Sequence, residues 1–251
     1  MAHYYFMDLP DKSWPDDLLA DVNELVRRGL EGKLSESEFY RLARLEVTSY
    51  GMVMPKRFRD PERWLNRDVG RTFAQLSMKD RYHDRVSFAV FSTEYMDSLA
   101  KLLQGLKVHE VCARRGVLQR PMRGRGIDWT CSDLDPQAPH VEQLDALDAL
   151  AKHQPDVVFA SWIDLGYDLD QQLASKLPMI IVGESCTGSF DEGFFDNPNY
   201  TIQSPPKGFQ DLPRFDCLND ATLFTHPKEA RLRFEERFGT LGWEAVVWDE
   251  G

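Results

Sequence analysis

The sequence predicts an α/β protein, a doubly wound and mostly parallel sheet with an N-terminal helical cap, and three observations predict it. From Leu106 onward, short apolar runs alternate with amphipathic stretches of roughly ten residues, the rhythm of βα units. The first hundred residues carry helical stripes and no long strand alternation. The chain has 251 residues, 42% of them apolar, enough for a sizeable core. The expected division is a mainly helical N-terminal region or cap over 1–104 and an α/β domain over 105–251.

Each element has a local reason. Ser13 is a plausible cap, Pro15 fits a first turn, and Leu18, Leu19, Val22, Leu25 and Val26 form a stripe ending near Gly29. Ser35 with Glu38 makes a capping-box pattern ahead of Phe39, Leu42, Ala43 and Val47. The Pro-rich, charged stretch from Gly51 to Tyr82 receives no assignment. Asp84 to Leu106 reads as a helix with Val86, Val90, Tyr95 and Leu99 buried.

Then come LKVHEVC as a strand, a helix opened by Val117, IDWTCSD as a strand and VEQLDALDALAKHQ as a helix. DVVFASW and LPMIIVGE follow as strands around the helix YDLDQQLASK. Parallel strands joined this way need helices over both faces, and the right-handed crossover leaves a doubly wound sheet as the simplest solution. After Gly183 about 35 residues rich in Gly, Pro, Asp and aromatics read as a long loop. A strand over Ala221 to Thr225, a helix from Pro227 to Phe238 and a strand from Trp243 to Trp248 close the chain.

Charge and cysteine content narrow the functions. Thirty Lys and Arg against 41 Asp and Glu give a net charge of −11, which counts against an extended nucleic-acid surface but leaves room for a local basic pocket. Four cysteines in a chain this long suggest reduced thiols rather than a disulfide scaffold. The N-terminus shows no basic-then-apolar signal pattern, and no apolar run reaches the 18 or so residues of a membrane span. The expectation is a cytoplasmic protein with a small-molecule substrate, no membrane association and an undetermined oligomeric state.

In an open α/β sheet, ligands gather beyond the carboxyl ends of the strands. The first such edge is the turn Ala113 to Gly116, where Gly116 allows close backbone approach. Asp133 follows 17 residues after Gly116 at the end of the second strand, beside that turn. Its carboxylate suits a ribose diol or is an ordinary turn acid, with Asp135 as the fallback. Arg114, Arg115, Arg120, Arg123 and Arg125 make the turn and helix basic. That charge suits a cofactor carboxylate, a phosphate-bearing substrate, or simple solvation of a helix face.

This run, Leu106 to Glu184 with a weaker continuation to Trp248, resembles the S-adenosylmethionine-dependent methyltransferase superfamily of the doubly wound class. In that family an acid ends the first strand and alternating glycines follow. Here the stretch is EVCARRG, with Glu110 matching the acid, Gly116 the last glycine, and Cys112 and Arg114 in the earlier glycine places. The resemblance implies S-adenosylmethionine as cofactor, Asp133 on its ribose, Asp145 with Ala146 at the adenine amino group with Asp148 as fallback, and Ser161 at the strand end facing the methyl group. It implies a methyltransferase-like enzyme with an unidentified acceptor. The two alternatives are an inactive binding or assembly protein of the same fold, and a small-molecule enzyme that transfers no methyl group.

Methyl transfer from a sulfonium is an in-line displacement that needs positioning and sometimes a base, with no obligatory metal. Asp164, Tyr167 and Glu184, beyond the fourth and fifth strands, are the candidate catalytic residues. Trp162, Phe190 and Phe194, with Phe195, either roof a substrate pocket or pack the loop. Cys112, Cys131, His109 and His140 lack the spacing of a compact zinc motif. Cys186 lacks an evident histidine partner or nucleophile elbow.

Overall fold

The computed structural model describes residues 16–38, 86, 89–163, 168–184, 190, 193–206, 208–210, 212 and 220–228, with the backbone alone at 16–19, 21, 22, 25, 184, 220 and 221. Among the described residues seven strands form one sheet: β1 Lys107–Val111, β2 Asp128–Asp133, β3 Glu142–Gln143, β4 Val157–Ser161, β5 Met179–Glu184, β6 Tyr200–Gln203 and β7 Asp220–Pro227. Their order is β3-β2-β1-β4-β5-β7-β6. The first five pair in parallel, whereas β7 runs antiparallel to both β5 and β6. The chain steps outward from β1 to β3 and then restarts on the other side of β1 at β4, so strand order reverses between β1 and β4.

Among the described residues the helices are α1 Asp16–Leu30, α2 Thr93–Leu103, α3 Gln119–Gly124, α4 Ala146–His153 and α5 Leu169–Ala174, with a further helical turn at 36–38. Alternate residues of each strand feed two separate cores, as a period of two requires. Val108, Trp129, Val157, Phe159, Ile180, Val182 and Phe224 meet Tyr95, Met96, Leu99 and Leu103 of α2 and Met122 of α3. On the other side Val111, Val158, Ala160, Met179, Ile181 and Leu223 meet α4 and α5 through Ala146, Leu150, Leu173 and Ala174.

Several boundaries differ from the sequence reading. Helix α1 passes Gly29 and ends at Leu30, with Gly32 supplying the left-handed turn at φ 63°. A Cβ on Gly32 would lie 2.5 Å from Pro121 Cβ, so this glycine lets the turn lie against α3. The capping box is reciprocal: Ser35 N–H donates to Glu38 Oε2 at 2.9 Å and Glu38 N–H to Ser35 Oγ at 3.3 Å.

Helix α2 starts at Thr93, not Asp84, because Ser92 caps it by accepting from Tyr95 N–H. Val86 and Val90 are nevertheless buried. The loop after Gly183 contains β6, a four-residue edge strand that the sequence reading omits. Pro227 ends β7 rather than opening a helix. The cap around Ser13, the helical face from Phe39 to Val47, the helix after Pro227 and the strand at Trp243 to Trp248 lie outside the described residues.

Candidate functional site

The strand-order reversal places the carboxyl ends of β1 and β4 side by side, with Val111 opposite Ala160. This is where an open parallel sheet leaves a crevice. The first residue after each strand is left-handed, Cys112 at φ 52° and Trp162 at φ 55°. Such backbone costs an L-residue with a Cβ about 1–2 kcal/mol, and it persists only where its surroundings hold it. Trp162 is held by its N–H, which donates to Val182 O at 2.8 Å across β5.

The turn after β1 repeats the device. Cys112, Arg114 and Gly116 are all left-handed, at φ 52°, 46° and 57°. Ala113 N–H donates to Ser132 O, Gly116 N–H to Ala113 O, and Gln137 N–H to Arg114 O. Only the third position demands glycine on packing grounds. A Cβ on Gly116 would stand 2.7 Å from Val141 Cγ2 and 2.9 Å from Cys131 Sγ.

Asp133 holds this turn. Its Oδ2 accepts from Arg114 N–H at 2.7 Å and its Oδ1 from Asp135 N–H at 2.8 Å. An ionised carboxylate offers about four lone pairs, so two bonds leave each oxygen able to accept once more. Asp145 is the N-cap of α4: its Oδ1 takes Leu147 N–H at 2.8 Å and Asp148 N–H at 3.4 Å. Among the described residues nothing donates to Asp145 Oδ2. Ala146 follows as the buried first residue of the helix.

Glu110 lies beneath the turn, 3% exposed, and accepts from Trp129 Nε1 at 2.9 Å. Burial pushes its carboxyl up to about 8, helped by the Asp133 charge and opposed by the indole bond. Burial likewise raises the Cys131 thiol to about 12, so it is not a nucleophile at neutral pH. Trp129 escapes the sequence reading. The only signal for it is alternation within β2, which puts residues 129, 131 and 133 on the face that carries Glu110.

The structure thus brings Glu110, Cys112, Arg114, Gly116 and Asp133 together around one turn, while Ser161 ends the neighbouring β4 and Asp145 opens α4. It divides the aromatic candidates between the two faces of the sheet. Trp162 packs against the core shared with α2 and α3. Phe194 is fully buried in the opposite core, with Phe190 stacked on it at 4.9 Å and Phe195 edge-on at 5.3 Å. Tyr200 donates its hydroxyl to Phe194 O at 2.6 Å, tying β6 to that cluster.

Asp164 and Tyr167 lie outside the described residues, as does the Glu184 side chain. Among the described residues no three His, Cys, Asp or Glu side chains are grouped to hold a metal. His109 bonds the hydroxyls of Thr130 and Ser132, and His140 lies 3.2 Å from Gly116 O. Among the described residues neither Cys112 nor Cys131 is joined in a disulfide. No described helix is long and apolar enough to cross a membrane.

No family model and no curated protein matches the sequence. Among solved structures, the crystal structure of Thermoplasma acidophilum 1320 is similar over 54% of this chain and 88% of that chain, at 10% identity and a TM-score of 0.31.

Proposed function

We propose that the carboxyl edge of β1, β2 and β4 binds S-adenosylmethionine and that the protein is a methyltransferase of the doubly wound class. The observation that carries this reading is the turn Cys112–Gly116. The three places that the family fills with glycine are left-handed in this chain, whether or not glycine stands there. A parallel β3-β2-β1-β4-β5 sheet extended by an antiparallel β7 suits the same class.

The residues present fit the cofactor. Asp133 retains one acceptor site on each oxygen for the ribose hydroxyls, and Asp145 Oδ2 is open to the adenine amino group. When bound, S-adenosylmethionine supplies a methyl group activated by a sulfonium. The chain contributes position: a turn fixed by Asp133, and β4 ending at Ser161 beside it, so an acceptor delivered there meets a preorganised edge.

Calorimetric titration with S-adenosylmethionine and S-adenosylhomocysteine tests the reading, and Asp145→Asn is the informative variant. Asparagine still caps α4, but it turns an amide donor toward the adenine amino group. Affinity should fall roughly 10-fold or more while the melting temperature holds. Absence of saturable heat for both ligands overturns the proposal.

The side chains of Cys112 and Arg114 favour a second reading, an inactive binding or assembly protein of the same fold. Cofactor binding seen only after Cys112→Gly and Arg114→Gly would establish it.

A further inference from the structure

A cleft of about 590 Å³ opens on the outer side of the same turn, lined chiefly by Arg115, Gln119, Arg120, Arg123, His140 and Leu30. It shares Gly116 with that turn, but neither Asp133 nor Asp145 lines it. Its charge is unusual for this chain. Three arginines and no carboxylate line it, in a protein of net charge −11. Arg120 and Arg123 stand one turn apart on α3, where like charges repel. Among the described residues neither has a carboxylate partner.

The neighbouring cleft of about 670 Å³ shows the contrast. Its Lys33 pairs with Glu31 at 3.0 Å and its Arg125 with Asp97 at 2.7 Å. Lys33 and Arg125 on one side of Arg120 are matched within the protein, whereas among the described residues Arg120 and Arg123 are not. A guanidinium pair of this kind suits the fork geometry of a phosphate. Leu30, 49% exposed, gives the wall an apolar surface, and the volume falls within the range of small-molecule sites.

We propose that this cleft is a second site, for a phosphate-bearing small molecule of nucleotide size whose phosphates sit between Arg120 and Arg123. It is independent of cofactor binding at the sheet edge. The test is calorimetric titration of the full chain with inorganic pyrophosphate and with ADP at low and at physiological salt. Saturable binding is expected, tighter for ADP and weakened by salt. Arg120→Gln with Arg123→Gln should lower affinity roughly 10-fold or more, and the paired lysine variant should fall between. Both variants should keep the wild-type melting temperature and the wild-type response to S-adenosylhomocysteine. No saturable heat with either probe up to about 1 mM overturns the proposal, as does undiminished affinity in the glutamine variant. An RNA oligonucleotide that binds where ADP and pyrophosphate do not also overturns it, by making the cleft part of a polymer track.

Discussion

The two faces of the sheet at β1 and β2 each bury an ionisable group, and they satisfy it differently. On the α3 face Glu110 has one indole donor, and burial drives it up to about 8, so the acid is largely neutral at pH 7. On the α4 face His109 lies between the hydroxyls of Thr130 and Ser132, at 2.8 and 2.9 Å, with its ring stacked on His153 at 4.5 Å. Burial, reinforced by His153, drives it down to about 4. Both shifts favour the uncharged form, because desolvation penalises charge of either sign. What differs is where compensating charge sits. Glu142 bonds both His153, at 2.7 Å, and Lys152, so the α4 face keeps its charges at its rim. The α3 face relies on Trp129.

Removing that indole gives the largest expected effect. Trp129→Ala opens a cavity in the core beside Phe159 and leaves Glu110 without its donor, at a cost of about 4 kcal/mol. Urea denaturation at pH 7 measures it. A loss below about 1 kcal/mol would break the comparison, since it would mean that this face is not held by its buried pair.

Next in size is Glu110→Gln, which keeps an acceptor for the indole and removes the titration. Glu110 has a folded pKa above its ordinary 4.5, so its stabilising contribution is complete below 4.5 and is lost as pH rises through about 8. His109 works the other way: its contribution is complete above 6.5 and is lost as pH falls through about 4. Between 4.5 and 6.5 the two slopes offset each other. Wild-type stability should therefore be level there and decline from 6.5 to 8. In the variant the decline disappears, and the gain over wild type at pH 8 is a few kcal/mol. Thermal melts over the pH series read the difference.

Much of this sheet is legible in the chain, and the reasons for the exceptions are local. Strands β4 and β5 announce themselves because burial on both faces demands continuous apolar runs, whereas β1, β2 and β7 are shorter apolar runs broken by polar residues and are legible from their place in the βα rhythm. Strand β6 does not, since its four residues bury only Tyr200 fully. Helix α3 begins at Gln119 rather than Val117 because the turn continues, with Gln119 N–H bonded to Gly116 O. At the site, the order and spacing of acids mark Asp133 and Asp145. Their duties to backbone N–H groups are invisible in the sequence, because a carboxylate's partners depend on the turn that it closes. The aromatic residues after β4 and β5 pack on the sheet, one of the two roles the sequence left open, and the sequence could not assign their faces. Sequence neighbourhood says nothing about which face of the sheet each ring covers.

The smallest expected effect lies in the turn above Glu110 and sharpens what that face requires. Gly116 is fixed by packing, with Val141 and Cys131 where its Cβ would be. Arg114, at φ 46°, has its backbone bonded on both sides, its N–H donating to Asp133 and its carbonyl accepting from Gln137 N–H. Arg114→Gly relieves about 1 kcal/mol of left-handed strain but adds a similar amount of freedom to the unfolded chain. Stability should change by no more than about 0.5 kcal/mol in either direction. A clear destabilisation in chemical denaturation would mean that the Arg114 side chain itself supports the turn. An unchanged stability would mean that Asp133 and the backbone suffice without the Arg114 side chain.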